Sequence, residues 1–193
     1  MKIIKPSKFN FKIESTSAIS QQFLKRNCID FEQAVNFVKQ LPYSRNADKN
    51  NLTTVFIDAC GTCSTKHALL KQLAIENNFT EIKLLVGLFK MNEINTPEVA
   101  ATLKQNKLTF IPEAHCYLKF ENEIIDATKA NSKATDFIDD LIEEIEIQPN
   151  QITDYKVDFH KNYIKKWLNE NPKIQFSIEK LWEIREQCIQ DLS

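Results

Sequence analysis

EAHCYLKFENEIIDA, residues 113–127, reads as a β-hairpin, and the placement of its two ionisable side chains depends on one turn. Cys116, Leu118 and Phe120 alternate with His115, Tyr117 and Lys119, the period of an extended strand. The apolar set is expected to face a core, with His115 and Tyr117 on the opposite face. A two-residue turn at Glu121-Asn122 pairs Phe120 with Glu123 and Tyr117 with Asp126. Asp126 then lies diagonal to His115 on the same face, within side-chain reach. A three-residue turn would send Asp126 to the other face. The glycine favoured in tight hairpins is absent here.

Upstream, residues 58–63 read DACGTC and lead into STKHALLKQLAIENN. The second stretch has a helical pattern, with Leu69, Leu70, Leu73 and Ala74 as its buried stripe. Cys63 stands where the loop becomes helix. Free first-turn amides and the helix dipole favour a thiolate at such a position. The plainer readings are a half-buried cysteine that only packs, a satisfied strand histidine, and an aspartate that starts a turn. A cysteine at a helix start combined with His and Asp on one hairpin face points instead to thiol chemistry. In that chemistry a carboxylate orients an imidazole that serves the sulfur.

Around these blocks, Asp30 caps a helix bearing Phe31, Ala34, Val35 and Val38, and Pro42 ends it. TTVFI (53–57) predicts a short strand and EIKLLVGLFKM (81–91) a buried one. Thr96-Pro97 opens a helix to about Gln105. Thr135 or Asp136 opens an acidic amphipathic helix with Phe137, Ile138, Leu141, Ile142 and Ile145 inward. Further helices are expected near Asp158–Asn169 and from Ser177. The order suggests an α+β protein: one domain over 1–193, with a core of about 30–130 and a C-terminal helical extension of about 135–193.

The chain has 193 residues, 42% of them hydrophobic, with 25 basic against 26 acidic side chains. That balance argues against a nucleic-acid or membrane-surface footprint. The opening MKIIKPSKFNFKIE lacks the apolar run of a signal peptide, and no run is long enough to span a bilayer. A cytoplasmic protein with free thiols is the expectation for its five cysteines. No cofactor is expected.

CGTCSTKHALLKQLA resembles the nucleophile helix of transglutaminase-like domains, and IPEAHCYLKFENEIIDAT resembles their His/Asp strand pair. The resemblance extends through LPYSRN, VGLFKMNEINTP and LWEIREQCI, and it looks like a bacterial branch of that superfamily. The superfamily pattern covers about residues 35–130. It implies a papain-like α+β fold in which a helical part carrying Cys63 packs on an antiparallel sheet carrying His115 and Asp126. It also implies Cys63 as nucleophile, His115 as general base and acid, and Asp126 as orienter. The implied reaction is acyl transfer or hydrolysis on an amide or peptide substrate through a thioester. Such domains span hydrolases, peptidases, transferases and inactive relatives, so the substrate and the oligomeric state stay open. The aromatic or amide oxyanion donor often found upstream in the family is not evident: both tryptophans, Trp167 and Trp182, lie downstream. The Cys63 amide, Tyr43, Asn46 and Gln40 are the candidates.

Three rival readings remain. A thioredoxin-like dithiol site would use Cys60 and Cys63 between a strand and a helix, with Pro112 downstream, but leaves His115 and Asp126 without a role. A metal site would draw on Cys60, Cys63 and His67, with His115 or Cys116, although no zinc quartet or calcium loop is evident. A catalytically inactive binding module would use the acidic stretch 136–146 or the lysines at 161–166, which read more simply as solvated faces.

Overall fold

The computed structural model describes residues 7–192. The opening MKIIKP therefore lies outside the described residues. Among the described residues the architecture is α+β: seven α-helices around a four-stranded antiparallel sheet of order β3-β2-β1-β4. The strands are β1 (Lys83–Met91), β2 (Ile111–Phe120), β3 (Glu123–Ile125) and β4 (Leu141–Ile147).

β1 is apolar almost throughout because the sheet is covered on both faces. Leu84, Val86 and Leu88 enter one core, while Leu85, Phe89 and Met91 enter a second. The first core is closed by α1 (Ala18–Leu24), α2 (Phe31–Gln40), α3 (Thr54–Ile57) and α4 (Cys63–Glu76). The second is closed by α5 (Ala100–Gln105), α6 (Asp154–Glu170) and α7 (Ile178–Asp191). At the centre of β1, a Cβ on Gly87 would stand 2.7 Å from Leu141 Cδ1 and 3.0 Å from Tyr117 Cε1. A bare backbone there lets the fully buried Tyr117 ring lie against β1. Tyr117 lies on the face opposite Cys116 and Leu118, as the hairpin alternation places it, and that face is covered by the second core. Its hydroxyl donates to Glu144, which also accepts from Lys119 Nζ at 2.7 Å.

The hairpin register is the expected one: Phe120 pairs with Glu123 and Leu118 with Ile125 across Glu121-Asn122. Glu121 takes the left-handed φ of 51° that glycine would have supplied.

Two expected elements differ. TTVFI is the helix α3, not a strand. Thr54 Oγ1 donates to the carbonyls of Asp48 and Asn51, and Thr53 N–H donates to Asn51 Oδ1, so polar anchors curl a stretch too short to find a sheet partner. The acidic helix expected from residue 135 is instead two 3₁₀ turns followed by β4. Its backbone satisfies the open edge of β1, with Glu144 opposite Gly87 and Ile145 opposite Val86. The C-terminal region therefore contributes a strand to the sheet and is not a purely helical extension.

Candidate functional site

α4 is the structural centre of the molecule. Residues 63–71 are all buried, so its polar side chains need internal partners, each worth about 1–3 kcal/mol if left unmade. Lys66 Nζ donates to the carbonyls of Leu41 and Thr128 at 2.6 and 2.7 Å, and burial lowers its pKa to about 8. Lys71 Nζ donates to the carbonyls of Thr80 and Ile82. Thr62 caps the helix in a reciprocal box with Thr65. A Cβ on Gly61 would meet Lys66 Cγ at 2.9 Å and Thr65 Oγ1 at 3.0 Å, so only glycine leaves the cap this compact. Gly61 also bridges to residue 43: its N–H donates to the Pro42 carbonyl, and its carbonyl accepts from Ser44 N–H. That bridge fixes Tyr43 beside Cys63.

β3 ends at Ile125, so β2 has no strand partner on that edge beyond Leu118. The first turns of α4 meet residues 126–128 there. His67 makes the join. Its Nε2 must accept, because its partner at 2.7 Å is the Ala127 N–H. Its Nδ1 therefore carries the proton and donates to the Cys63 carbonyl at 2.7 Å. Burial lowers its pKa, and the ring is neutral. With both nitrogens engaged, His67 has no lone pair for a metal. No metal-binding group of His, Cys, Asp or Glu occurs among the described residues.

His115 Nε2 and Asp126 Oδ2 are 3.0 Å apart. Asp126 Oδ1 accepts from Thr128 N–H at 2.9 Å. Burial disfavours the Asp126 charge, but the His115 imidazolium and these hydrogen bonds hold its pKa well below the carboxylate range. Burial likewise opposes charge on His115, yet Asp126 and the Cys63 sulfur push its pKa up to about 10. The Cys63 thiol moves the other way, well below its usual value. The largest cause is donation by the Cys116 thiol, which outweighs burial; the Lys156 ammonium and His115 add to it. Cys116 is held neutral, chiefly by burial. Both shifts favour the pair as thiolate on Cys63 and imidazolium on His115.

Cys63, His115 and Asp126, the three residues singled out in the sequence, line one cavity of about 460 Å³. Its walls include Phe89, Met91, Phe137 and Leu192. Cys63 also lines a second cavity of about 320 Å³, and Tyr43, Glu113 and Ile189 line both. Of the candidate oxyanion donors, Asn46 is occupied: it donates to Asp58 and the Cys60 carbonyl and accepts from Thr65. Gln40 does not line the cavity. Tyr43 does, and its phenol is kept neutral by burial and by the charges of Cys63 and Glu113.

Sequence reasoning missed Lys156 and Ser64. Lys156 is 8% exposed on α6, and its Nζ donates to Ser64 Oγ at 2.8 Å. Ser64 Oγ lies 3.9 Å from Cys63 Sγ and 3.5 Å from Cys116 Sγ. The signal was present: Lys156, His160, Ile164 and Trp167 share one helical face and are all buried. Nearby, Arg185 on α7 grips Glu113 of β2 with two nitrogens, at 2.7 and 2.5 Å. His160 Nε2–H donates to the Pro112 carbonyl at 2.8 Å, and burial lowers its pKa to about 4.

The fold and site define an α+β protein in which Cys63, at the start of α4, shares one cavity with His115 and Asp126. No protein-family model, no curated protein and no solved structure matches the chain. The strand required before Cys60 by a dithiol loop is the helix α3, and the sheet is wholly antiparallel. Among the described residues no helix is long and apolar enough to cross a membrane.

Proposed function

We propose that this protein is a thiol-dependent acyl-transfer enzyme or hydrolase of the transglutaminase-like, papain-like kind, acting on an amide or peptide substrate. The observation that carries the reading is the His115–Asp126 hydrogen bond in the cavity that Cys63 also lines. It is made by Nε2, so Nδ1 is left for the sulfur. The Cys63 thiolate attacks the substrate carbonyl, and the carbonyl electron pair moves onto oxygen. The Cys63 backbone N–H, unused at the first helical position, and the Tyr43 hydroxyl donate to that oxyanion. Imidazolium His115 gives its proton to the leaving amine as the C–N bond breaks, and a thioester remains. His115, now neutral, takes a proton from water or an amine, which attacks the thioester and restores the thiolate. Asp126 holds the ring and stabilises its charged form throughout.

The test is capture of the acyl-enzyme. Brief exposure to p-nitrophenyl acetate, acid quench and peptide mapping should place one acetyl group on Cys63, removable by hydroxylamine and absent in Cys63→Ser. Acylation that His115→Ala leaves unslowed would overturn the proposal. Adding a primary amine to the reaction distinguishes the outcomes: amide product marks a transferase, acetate alone a hydrolase.

A further inference from the structure

Cys63 lies at the junction of two cavities of contrasting chemistry. The larger has apolar walls beside His115. The smaller gathers Arg45, Lys49, Lys156, Lys161 and Arg185, with Glu113 and Glu186 as its acidic side chains. The two acids are already committed to the arginines. Glu113 binds Arg185, and Glu186 takes Arg185 at 2.7 Å and Arg45 at 2.5 Å. Among the described residues no carboxylate lies within salt-bridge distance of Lys49, Lys156 or Lys161. Lys161 rests over the Trp182 ring at 4.8 Å, and Lys156 is held by Ser64. Five cations thus face two carboxylates and one thiolate. His160 is neutral and offsets nothing.

Such crowding costs free energy in the empty protein. Burial, and then repulsion from Arg45, Lys156 and Arg185, lower the pKa of Lys49. An anion entering this arm would relieve that repulsion and gain charge-assisted hydrogen bonds. The larger cavity offers no such surplus, because Glu98, Asp126 and Asp136 stand among its lining residues with Lys129 and Lys133. The cleft is therefore polarised about the thiol.

We propose that the smaller, cationic arm is a subsite for an oxyanionic substituent, carboxylate or phosphate, carried by the acyl substrate on one side of its reacting carbonyl. The inference rests on the thiol-enzyme reading and deepens it: the substrate is acidic on that side and neutral and partly apolar on the other. Lys49 and Lys161, at the exposed rim, select the anion, while Lys156 stands deeper beside the sulfur.

The experiment is protection of Cys63 from iodoacetamide, followed by peptide mapping at constant ionic strength. Glutarate, inorganic phosphate and neutral glutaramide serve as protectants. Saturable protection by glutarate or phosphate but not by glutaramide is expected, and the better protector identifies the oxyanion. The double variant Lys49→Gln/Lys161→Gln should weaken that protection about tenfold, measured against its own unprotected alkylation rate. Equal protection by glutaramide, unchanged protection in the double variant, or protection that never saturates would overturn the subsite. A His115→Ala variant that alkylates like the parent would overturn the triad instead, so the two failures are distinguishable.

Discussion

His115 Nε2 lies 3.0 Å from Asp126 Oδ2, while His67 Nε2 lies 3.6 Å from the other oxygen of the same carboxylate. The two imidazoles nevertheless differ in charge. His67 must accept from the Ala127 N–H and is neutral, whereas His115 has Nδ1 free for the sulfur and is cationic. One carboxylate thus hydrogen-bonds one charged ring and borders one neutral ring.

The charge states set a pH dependence. Cys63 titrates below its usual value and His115 at about 10, so the ion pair exists between these two limits. Alkylation of Cys63 should hold a plateau through neutral pH and fall in acid as the thiolate is protonated. Acyl transfer should also fall as pH rises through about 10, when His115 loses the proton it gives to the leaving group. Asp126→Asn removes the carboxylate that raises His115 and should draw the alkaline limb down towards 6.5, the unperturbed value. His115→Ala should slow alkylation at neutral pH by about tenfold or more. A profile unchanged by either substitution would refute the assignment.

His67→Ala should act on stability instead. It strips partners from the Cys63 carbonyl and the Ala127 N–H and leaves a buried void, costing about 2–4 kcal/mol. In a chain of this size that corresponds to roughly 5–10 °C in Tm. Well below the transition, Cys63 alkylation should stay within about threefold of the parent. A large loss of reactivity with no change in Tm would make His67 part of the chemistry.

The site was legible to the extent that it is local. The alternation of His115 with its neighbours and a two-residue turn were enough to bring Asp126 to His115. The turn forms without a glycine because Glu121 accepts a left-handed φ of 51°. Elements decided by distant partners were misread. LIEEIEI suits either period, since Leu141, Ile142 and Ile145 fit a helical stripe while Ile145 and Ile147 fit alternation. The open edge of β1, fifty residues upstream, decides for a strand. The clustering of Lys156 with Ser64 and Cys63 was hidden for the same reason. A lysine on a buried helical face signals an internal anion or acceptor, but only the packing of α6 shows which one.

Cys60 and Cys63 should separate cleanly. Cys60 is partly exposed, with Sγ 4.0 Å from the Arg45 carbonyl, in a loop preceded by a helix. Cys63 is buried at a helix start among cations. Cys60→Ser should therefore retain most of the alkylation rate and any acyl transfer, and Cys63→Ser should lose both. No turnover is expected with a dithiol reductant or thioredoxin reductase. Equal losses from the two substitutions, with a reversible disulfide between the pair by mass spectrometry, would restore the dithiol reading.

Lys156 gives the Cys63 thiolate a source of stabilisation beyond the Cys116 thiol and independent of His115. Burial opposes its charge, but the two cysteine sulfurs and Glu113 outweigh that and keep the amine protonated. Lys156→Met preserves length and apolar bulk while removing the charge and the hydrogen bond to Ser64 Oγ. Without the cation the thiolate is less favoured, so Cys63 titrates higher. Alkylation should slow most, by about tenfold, on the acid side of the profile, where the parent keeps more of its thiolate. The two curves should converge as the pH rises, because hydroxide then ionises the thiol in both. The shape of the profile separates an electrostatic role from a structural one. A lysine that merely packs would, when replaced, lower the rate by the same factor at every pH or not at all. A uniform offset between the two curves, with Cys63 titrating at the same pH in both, would remove Lys156 from the site's electrostatics.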